Sequence, residues 1–149
     1  ALPVSTSLSP PIPGIPAIVH VPLGPRRRRE RGFDQALLLA REVARALGAR
    51  PERLLARVRE TAPQARRGAA ERRAAMRGAF AATGTVPSAV VLVDDVLTTG
   101  ATAAACAEAL RAAGAREVAL LVAARALPRS YTRAGSASGS VVARGIAPR

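Results

Sequence analysis

The segment from Val90 to Thr102 constrains the fold more than any other part of this chain. It begins with a β-branched apolar run, Val90 to Val93, which is typical of a strand buried on both faces of a parallel sheet. Asp94 and Asp95 follow directly, at the point where such a strand leaves the sheet. A turn rich in threonine and glycine then opens a helix predicted over Ala101 to Ala113. This order predicts an α/β fold with a ligand site at the end of the strand.

The turn in this segment has the chemistry needed to hold a phosphate group. Backbone N–H groups at a helix N-terminus bind anions without a charged side chain, and small hydroxyl residues and glycine leave those groups accessible. The two carboxylates before the turn suit the hydroxyl groups of a sugar. The segment therefore predicts a site for a sugar phosphate. The residues expected to hold the phosphate are Thr98, Thr99, Gly100, Ala101 and Thr102.

A purely structural interpretation of the same segment stays open. Acidic residues at strand ends and Thr-Gly turns before helices are common, and an ordinary capped helix has both. The order and spacing of the residues favour the binding site. A Walker A phosphate loop is excluded, because it needs a Gly-Lys pair and this chain has no lysine.

The positive charge of the chain is large and unevenly distributed. All 23 basic residues are arginine, and the formal net charge is +13. Sixteen arginines lie between Arg26 and Arg77, against six acids in the same window. This local excess predicts an anionic ligand or polymer as partner. With 149 residues, 49% of them hydrophobic, the chain is large enough for one domain with a buried core.

An arginine run between Gly24 and Gly32 is predicted to be a loop that joins a strand, Ile18 to Leu23, to a helix, Phe33 to Leu47. A solvated charge cluster is the plain alternative. The position favours binding, because open α/β sheets place ligands at the carboxyl ends of their strands. Guanidinium groups there can form bidentate hydrogen bonds to pyrophosphate. The candidate pyrophosphate-binding residues are Gly24, Arg26, Arg27, Arg28, Arg29 and Arg31.

A second arginine-rich segment, Thr61 to Arg77, is also predicted to be a polar loop. Two interpretations stay open for it: a mobile lid over the same crevice, and an exposed variable loop. The candidate lid residues are Arg66, Arg67, Arg72, Arg73 and Arg77.

Strands and helices alternate along the remainder of the chain. Further strands are predicted over Leu54 to Glu60, Ala79 to Thr83 and Glu117 to Ala124. The predicted fold class is α/β, an open, mainly parallel sheet flanked by helices. The domain is expected over residues 18–128, after an extended or disordered segment 1–17 and before a loose tail 129–149.

The cysteine content and the hydropathy of the chain indicate where in the cell the protein is expected to be. The single cysteine, Cys106, is predicted to be a small buried thiol, so no disulfide framework or zinc cluster can be built. No apolar stretch reaches the length of a transmembrane helix, and the proline-rich N-terminus lacks the basic region of a signal peptide. The expectation is a cytoplasmic protein with no membrane partner, and a homo-oligomer is compatible with it.

Over about His20 to Arg125 the chain resembles the ComF family of phosphoribosyltransferase-like proteins, which are associated with DNA uptake in competent bacteria. The VDDVLTTGAT segment resembles the phosphoribosyl pyrophosphate (PRPP) motif of type I phosphoribosyltransferases, and RGF-x-Q and R-x(5)-GAF point to ComF. Asp34 and Ala75 stand where that family usually has asparagine. The family's N-terminal four-cysteine zinc module is missing, which leaves a shortened member and a fragment both open. Four motifs match in order: VPL followed by RRRRERGFDQA (21–36), TAPQ (61–64), ERRAAMRGAF (71–80) and VVLVDDVLTTGATAAACAEALRAAGA (90–115).

The resemblance implies a role for each candidate group. Asp94 and Asp95 would be the catalytic pair and would accept hydrogen bonds from the ribose 2′- and 3′-hydroxyls. The turn Thr98 to Thr102 would bind the 5′-phosphate, and the segment Gly24 to Arg31 would bind pyrophosphate. Mg²⁺ would be chelated by PRPP, with no direct protein ligand expected. Some relatives that act on purines have an aspartate where Thr98 stands, and this chain lacks that acid.

Two functions stay open at this point. The first is transfer of a phosphoribosyl group to an unidentified nitrogenous acceptor with release of pyrophosphate. The second is a non-enzymatic role in DNA uptake, through contact with single-stranded DNA or a helicase. Aromatic residues make up only 2% of the chain, so the stacking platforms typical of single-strand binding are scarce. Arginine contacts to the DNA backbone are compatible with the charge and would depend strongly on salt.

Overall fold

The structure is a computed structural model that describes residue 14 and residues 16–59, 68–97, 99–125 and 144–145. These ranges contain seven strands and four helices. In chain order they are β1 (Ala17–His20), α1 (Pro25–Arg31), α2 (Gln35–Ala46), β2 (Pro51–Glu52), β3 (Leu55–Arg57), α3 (Ala69–Met76), β4 (Phe80–Ala82), β5 (Ala89–Leu97), α4 (Ala101–Ala112), β6 (Glu117–Arg125) and β7 (Arg144–Gly145).

The main sheet has the strand order β2-β1-β5-β6-β7. The first four strands in that order are parallel, and β7 pairs with β6 in the antiparallel direction at one edge. His20 lies opposite Val93, and Val93 lies opposite Leu121, so the parallel strands end at the same edge of the sheet. The predicted fold class, an open and mainly parallel α/β sheet flanked by helices, is confirmed.

Helices cover both faces of this sheet. On one face α2 packs against β1 and β5, where Ile18, Ala40 and Val93 are fully buried. On the other face α4 packs against β5 and β6, where Leu92 and Leu110 are fully buried. Alanine, leucine and valine thus form the two layers of the core, as expected for a sheet with both faces covered. Cys106 also lies in this second layer, which confirms the predicted buried thiol.

The arginine run was wrongly predicted to be a loop, because α1 occupies most of it. Pro25 stands at the first helical position, where its missing N–H group costs nothing and its fixed φ suits a helix. Gly32 ends the helix with a φ of 72°, in the left-handed region that favours glycine. Arginine itself is a good helix former, so the run continues the helix between these two signals.

Three other boundaries differ from the prediction. The strand β5 continues to Leu97, so Asp94 and Asp95 lie within the strand and not after it. The predicted strand Leu54 to Glu60 is shorter in the structure, and β3 forms a separate antiparallel pair with β4. The predicted loop Thr61 to Arg77 contains α3, while residues 60–67 lie outside the described ranges.

The chain ends are described only in part. Ala17, the last residue of the predicted N-terminal segment, already belongs to β1. Within the predicted loose tail, Arg144 and Gly145 form β7, and the other residues after 125 lie outside the described ranges. No helix in the described ranges is long and apolar enough to cross a membrane.

Candidate functional site

The candidate site lies at the carboxyl ends of β1 and β5. The chain leaves β1 for β2 on one side, whereas it leaves β5 for β6 on the other side. The two connections therefore diverge here, and such a switch point forms a crevice in open α/β sheets. The Val21 N–H donates to the Val93 carbonyl at 2.9 Å, which holds the segment after β1 beside β5.

A cavity of about 330 Å³ occupies this crevice and is called the central cavity below. It brings together acids from β5, arginines from α1 and the turn before α4. Parts of the chain far apart in sequence thus meet at one end of the sheet. The lining residues are Val21, Pro22, Leu23, Arg27, Arg31, Asp34, Gln35, Ala36, Arg57, Asp94, Asp95, Val96, Leu97, Gly100, Thr102 and Ala103.

Asp94 is the buried acid of the central cavity, with 8% of its surface exposed. Its Oδ1 accepts a hydrogen bond from the Asp95 N–H at 2.9 Å. Burial, assisted by a side-chain hydrogen bond with Asp95, raises the pKa of Asp94 to about 7. Asp94 therefore exchanges a proton near neutral pH, and it can donate to or accept from a ligand hydroxyl.

Asp95 follows on the strand and also lines the central cavity. Its Oδ1 accepts a hydrogen bond from the Val96 N–H at 2.9 Å. Its Oδ2 lies 3.7 Å from Arg31 Nη1, where the Asp95 side chain is 27% exposed. This ion pair joins β5 to the last turn of α1 and keeps an acid and a guanidinium together in the cavity.

The turn before α4 depends on the backbone conformation of Gly100. Its φ is 78°, and its carbonyl accepts the first helical hydrogen bond from Ala104 at 2.9 Å. A Cβ atom at Gly100 would meet only Leu97 Cδ1 at 3.7 Å, so conformation and not crowding requires glycine. The Ala101 N–H donates to Thr99 Oγ1 at 3.4 Å, and neither of these two residues lines the central cavity. Thr102 and Ala103 do line it, and their N–H groups, in the first turn of α4, have no partners within the helix and can bind a ligand. Thr98 lies outside the described residues.

The arginines of α1 fall into three groups according to what they line or pair with. Residues four apart share one face of a helix, and Arg27 and Arg31 accordingly both line the central cavity. Arg26 instead pairs with Glu30 at 3.0 Å and lines neither cavity. Arg28 and Arg29 line a second cavity of about 340 Å³, called the side cavity. The predicted pyrophosphate group is thus divided, and only two of its arginines meet the acids.

Arg57 lines both cavities, although no sequence pattern singles it out. It comes from β3, and its guanidinium lies 5.4 Å from the centre of the Phe80 ring on β4. A Cβ at Gly24 would lie 3.5 Å from Arg57 Cδ. Arg57 therefore passes close to the start of α1, and a Cβ at Gly24 would be at ordinary van der Waals distance from it. The pairing of β3 with β4 fixes this position, and no local pattern predicts that pairing.

Asp34 is a second lining residue that the sequence analysis did not assign to the site. Its Oδ1 accepts from the Leu37 N–H at 3.1 Å and caps α2. Its Oδ2 lies 3.8 Å from His20 Nε2 and 3.9 Å from Arg28 Nη2, with no hydrogen-bond partner in the described chain. Burial lowers the pKa of His20, although Asp34 opposes this shift. An aspartate just before a helical pattern was the available signal.

The candidate lid residues lie away from the cavities as far as they are described. Arg72 and Arg73 belong to α3, Arg77 follows it, and none of the three lines the central or side cavity. The helix α3 packs against α4. Arg66 and Arg67 lie outside the described residues, so the lid stays a prediction.

A metal ion at this site would require several oxygen, nitrogen or sulfur donor atoms close together. Within the described ranges, no group of three or more histidine, cysteine, aspartate or glutamate residues is placed to hold a metal. Asp94 and Asp95 supply hard oxygen donors, and Mg²⁺ commonly binds one or two carboxylates together with substrate phosphates. The donor set therefore fits Mg²⁺ that arrives with a phosphorylated substrate.

Comparison with known proteins gives matches over 68% of the chain. The chain is 42% identical over 103 residues to DNA utilization protein YhgH of Salmonella typhi. It is 39% identical over 103 residues to the protein of the same name from Escherichia coli strain K12. It is 35% identical over 107 residues to Competence protein F of Haemophilus influenzae.

The matches cover 45% of the YhgH proteins and 47% of Competence protein F, so the chain spans about half the length of the curated relatives it matches. No protein-family model matches the chain, and no solved structure gives a significant match. The names of the relatives support the resemblance to the ComF family that the motifs indicate.

Proposed function

We propose that this chain binds PRPP in the central cavity and transfers its phosphoribosyl group to a nitrogenous acceptor. The observation that carries the proposal is the meeting of three groups in one cavity: the acids Asp94 and Asp95, the Gly100 turn, and Arg27 with Arg31. PRPP carries adjacent hydroxyls, a 5′-phosphate and a diphosphate on one ribose ring. Each of its three polar parts has a counterpart among the three groups.

The binding roles follow from the chemistry of the groups. The carboxylates accept hydrogen bonds from the ribose hydroxyls, and the N–H groups at the start of α4 donate to the 5′-phosphate. Arg27 and Arg31 bind the diphosphate, because guanidinium groups form bidentate, charge-assisted bonds with phosphate oxygens. When the diphosphate binds, Arg31 gives up its ion pair with Asp95 and pairs with the ligand instead.

The same groups favour the transfer step. The bond between the anomeric carbon and the diphosphate oxygen breaks, and the electron pair leaves with pyrophosphate. The lone pair of the acceptor nitrogen forms the new bond, and the proton of that nitrogen is released to the solvent. Positive charge develops on the ribose ring in between, and the carboxylates stabilise it. Arg27 and Arg31 neutralise the departing diphosphate. Mg²⁺, held mainly by the oxygens of PRPP, would add to this neutralisation.

Calorimetric titration of the full chain with PRPP in the presence of Mg²⁺ tests the proposal. We expect PRPP to bind more tightly than ribose 5-phosphate, which lacks the diphosphate contact, and more tightly than pyrophosphate, which lacks the contacts of the ribose hydroxyls and the 5′-phosphate. The double variant Asp94→Asn/Asp95→Asn should lose the part of the preference for PRPP over pyrophosphate that the ribose hydroxyls supply, and keep the part that the 5′-phosphate supplies. Pyrophosphate release with a panel of bases then tests transfer. An affinity for PRPP no greater than that for pyrophosphate overturns the proposed ribose site.

Contact with DNA is the second candidate function. Two observations favour it: the relatives carry names for DNA utilization and competence, and the chain has a net charge of +13. Arg28 and Arg29 are exposed on α1, and Arg73 and Arg77 are exposed on or beside α3. Such a surface binds phosphate backbones without reading sequence. The two functions are compatible, since the acids and the turn lie in the cavity whereas these arginines lie outside it.

A further inference from the structure

The side cavity indicates what kind of acceptor the central cavity would serve. It lies between α1, the segment after β1 and the strand β3. We propose that the side cavity binds the phosphate group of the acceptor, so that the acceptor is a nucleotide and not a free base. The proposal rests on the proposed function, because it assigns the second substrate of the same transfer.

The charges of the two cavities differ in a way that selects this ligand. The central cavity is lined by three arginines and three aspartates. The side cavity is lined by Arg28, Arg29 and Arg57 and by no acid among the described residues. Arg28 forms a long ion pair with Asp34 Oδ2 at 3.9 Å, and its side chain is 54% exposed. The side cavity is therefore suited to an anionic group.

The remaining walls of the side cavity are apolar. Pro22, Leu23 and Pro25 line one part, and Leu55 and Ala56 of β3 line another. Small-molecule sites typically combine such apolar walls with a few polar groups and have volumes of about 300 to 1,000 Å³. The volume here, about 340 Å³, is at the lower end of that range. A phosphate on the arginines and a base or sugar on the apolar walls match this division.

The two cavities adjoin each other. Pro22, Leu23 and Arg57 line both of them. Arg57 passes beside Gly24 at the start of α1, so one side chain lines both cavities. A nucleotide held by its phosphate in the side cavity thus lies next to a ribose ring held in the central cavity. An acceptor requires this proximity, because the acceptor nitrogen must reach the anomeric carbon of the ribose.

Calorimetry with the full chain tests the assignment. The probes are the four common ribonucleoside 5′-monophosphates, each compared with its nucleoside. We expect at least one monophosphate to bind more tightly than its nucleoside. In Arg28→Gln/Arg29→Gln this advantage should fall roughly ten- to hundredfold, the range for hydrogen bonds to a charged group. The control Arg26→Gln/Arg45→Gln removes the same charge from exposed arginines that pair with Glu30 and Glu42.

Three measurements distinguish the outcomes. PRPP affinity should stay within about twofold in Arg28→Gln/Arg29→Gln, and loss of PRPP binding there would overturn the separation of the cavities. Equal binding of nucleosides and monophosphates, or equal losses in the test and control variants, would overturn the phosphate site.

A 5′-phosphorylated oligothymidylate compared with dTMP shows whether a strand end or a free nucleotide supplies the phosphate. Nucleotide binding through Arg28 and Arg29 without any PRPP binding would overturn the acceptor role and the proposed function, while the anion site would stand.

Discussion

Asp94 holds a proton near neutral pH, because burial disfavours its charged form. Its pKa rises from 3.8 to about 7 on folding, so the native state binds the proton more tightly than the unfolded state. The contribution to stability is then full below the unfolded pKa and is lost as the pH rises through about 7. We expect the free energy of unfolding, measured with urea, to fall over this window by at most about 1.4 kcal/mol per pH unit.

The variant Asp94→Asn isolates this effect, since asparagine does not titrate. Its unfolding free energy should lack the fall seen in the unaltered chain. The buried His20 has a lowered pKa, so its own contribution is lost as the pH falls and acts in the opposite direction. Both proteins contain His20, so its contribution cancels when one pH profile of unfolding free energy is subtracted from the other. Parallel pH profiles for both proteins would show that Asp94 titrates like an exposed acid.

Gly100 permits a second test at the scale of one residue. The variant Gly100→Val places a β-branched side chain at a φ of 78°, which is strongly disfavoured, and it also covers the N–H groups of the turn. We expect PRPP binding to be lost while the sheet still folds, with a stability loss of about 1 to 3 kcal/mol. Calorimetry and urea unfolding measure the two effects.

Gly48→Val is the matched control for this substitution. Gly48 has a φ of 67°, has open space around it and does not line the central cavity. It should therefore lose similar stability and keep PRPP binding. Unchanged PRPP affinity in folded Gly100→Val would remove the turn from the phosphate site.

The N-terminus of α2 carries a prediction at the scale of one element. Asp34→Ala removes the hydrogen bond to the Leu37 N–H and should lower the free energy of unfolding by about 0.5 to 2 kcal/mol. Asp34→Asn keeps an acceptor for this N–H and should lose much less, because both residues cap helices well. Urea unfolding of the two variants measures the difference. An equal loss in both would show that the charge beside His20 and Arg28 matters more than the cap.

Elements with local signals could be predicted from the sequence, and those that depend on distant pairing could not. The apolar run of β5, the acids after it and the glycine before α4 lie next to each other in the chain, and the structure keeps them in one cavity. The helix α1 was predicted to be a loop although Pro25 and Gly32 mark its ends, because its residues show no apolar repeat. Arg57 could not be found, since its place depends on the pairing of β3 with β4.

At the scale of the whole molecule, charge separates the two candidate functions. Replacing Arg66, Arg67, Arg72 and Arg73 by serine should weaken binding to single-stranded DNA if this basic segment contacts the backbone. The slope of log affinity against log salt should flatten by up to about three units, at ~0.7 for each phosphate contact. Fluorescence anisotropy over a salt series measures both changes. PRPP affinity should survive, because the described members of this group line neither cavity.

The opposite result, loss of PRPP binding with unchanged DNA binding, would indicate that the segment is a lid over the sugar phosphate. The same four substitutions thus distinguish a nucleic-acid surface from a closing element of the site.

The division of arginines by α1 has a consequence for how this part of the chain can change in length. Successive helical residues are about 100° apart around the axis. Deleting one arginine from the run would rotate the remaining ones, so that Arg28 and Arg29 could no longer face the side cavity while Arg27 and Arg31 face the central one. Substitutions within the run alter one contact at a time, whereas an insertion or deletion reassigns all of them. The spacing from Pro25 to Gly32 is therefore as much a part of the site as the arginines themselves.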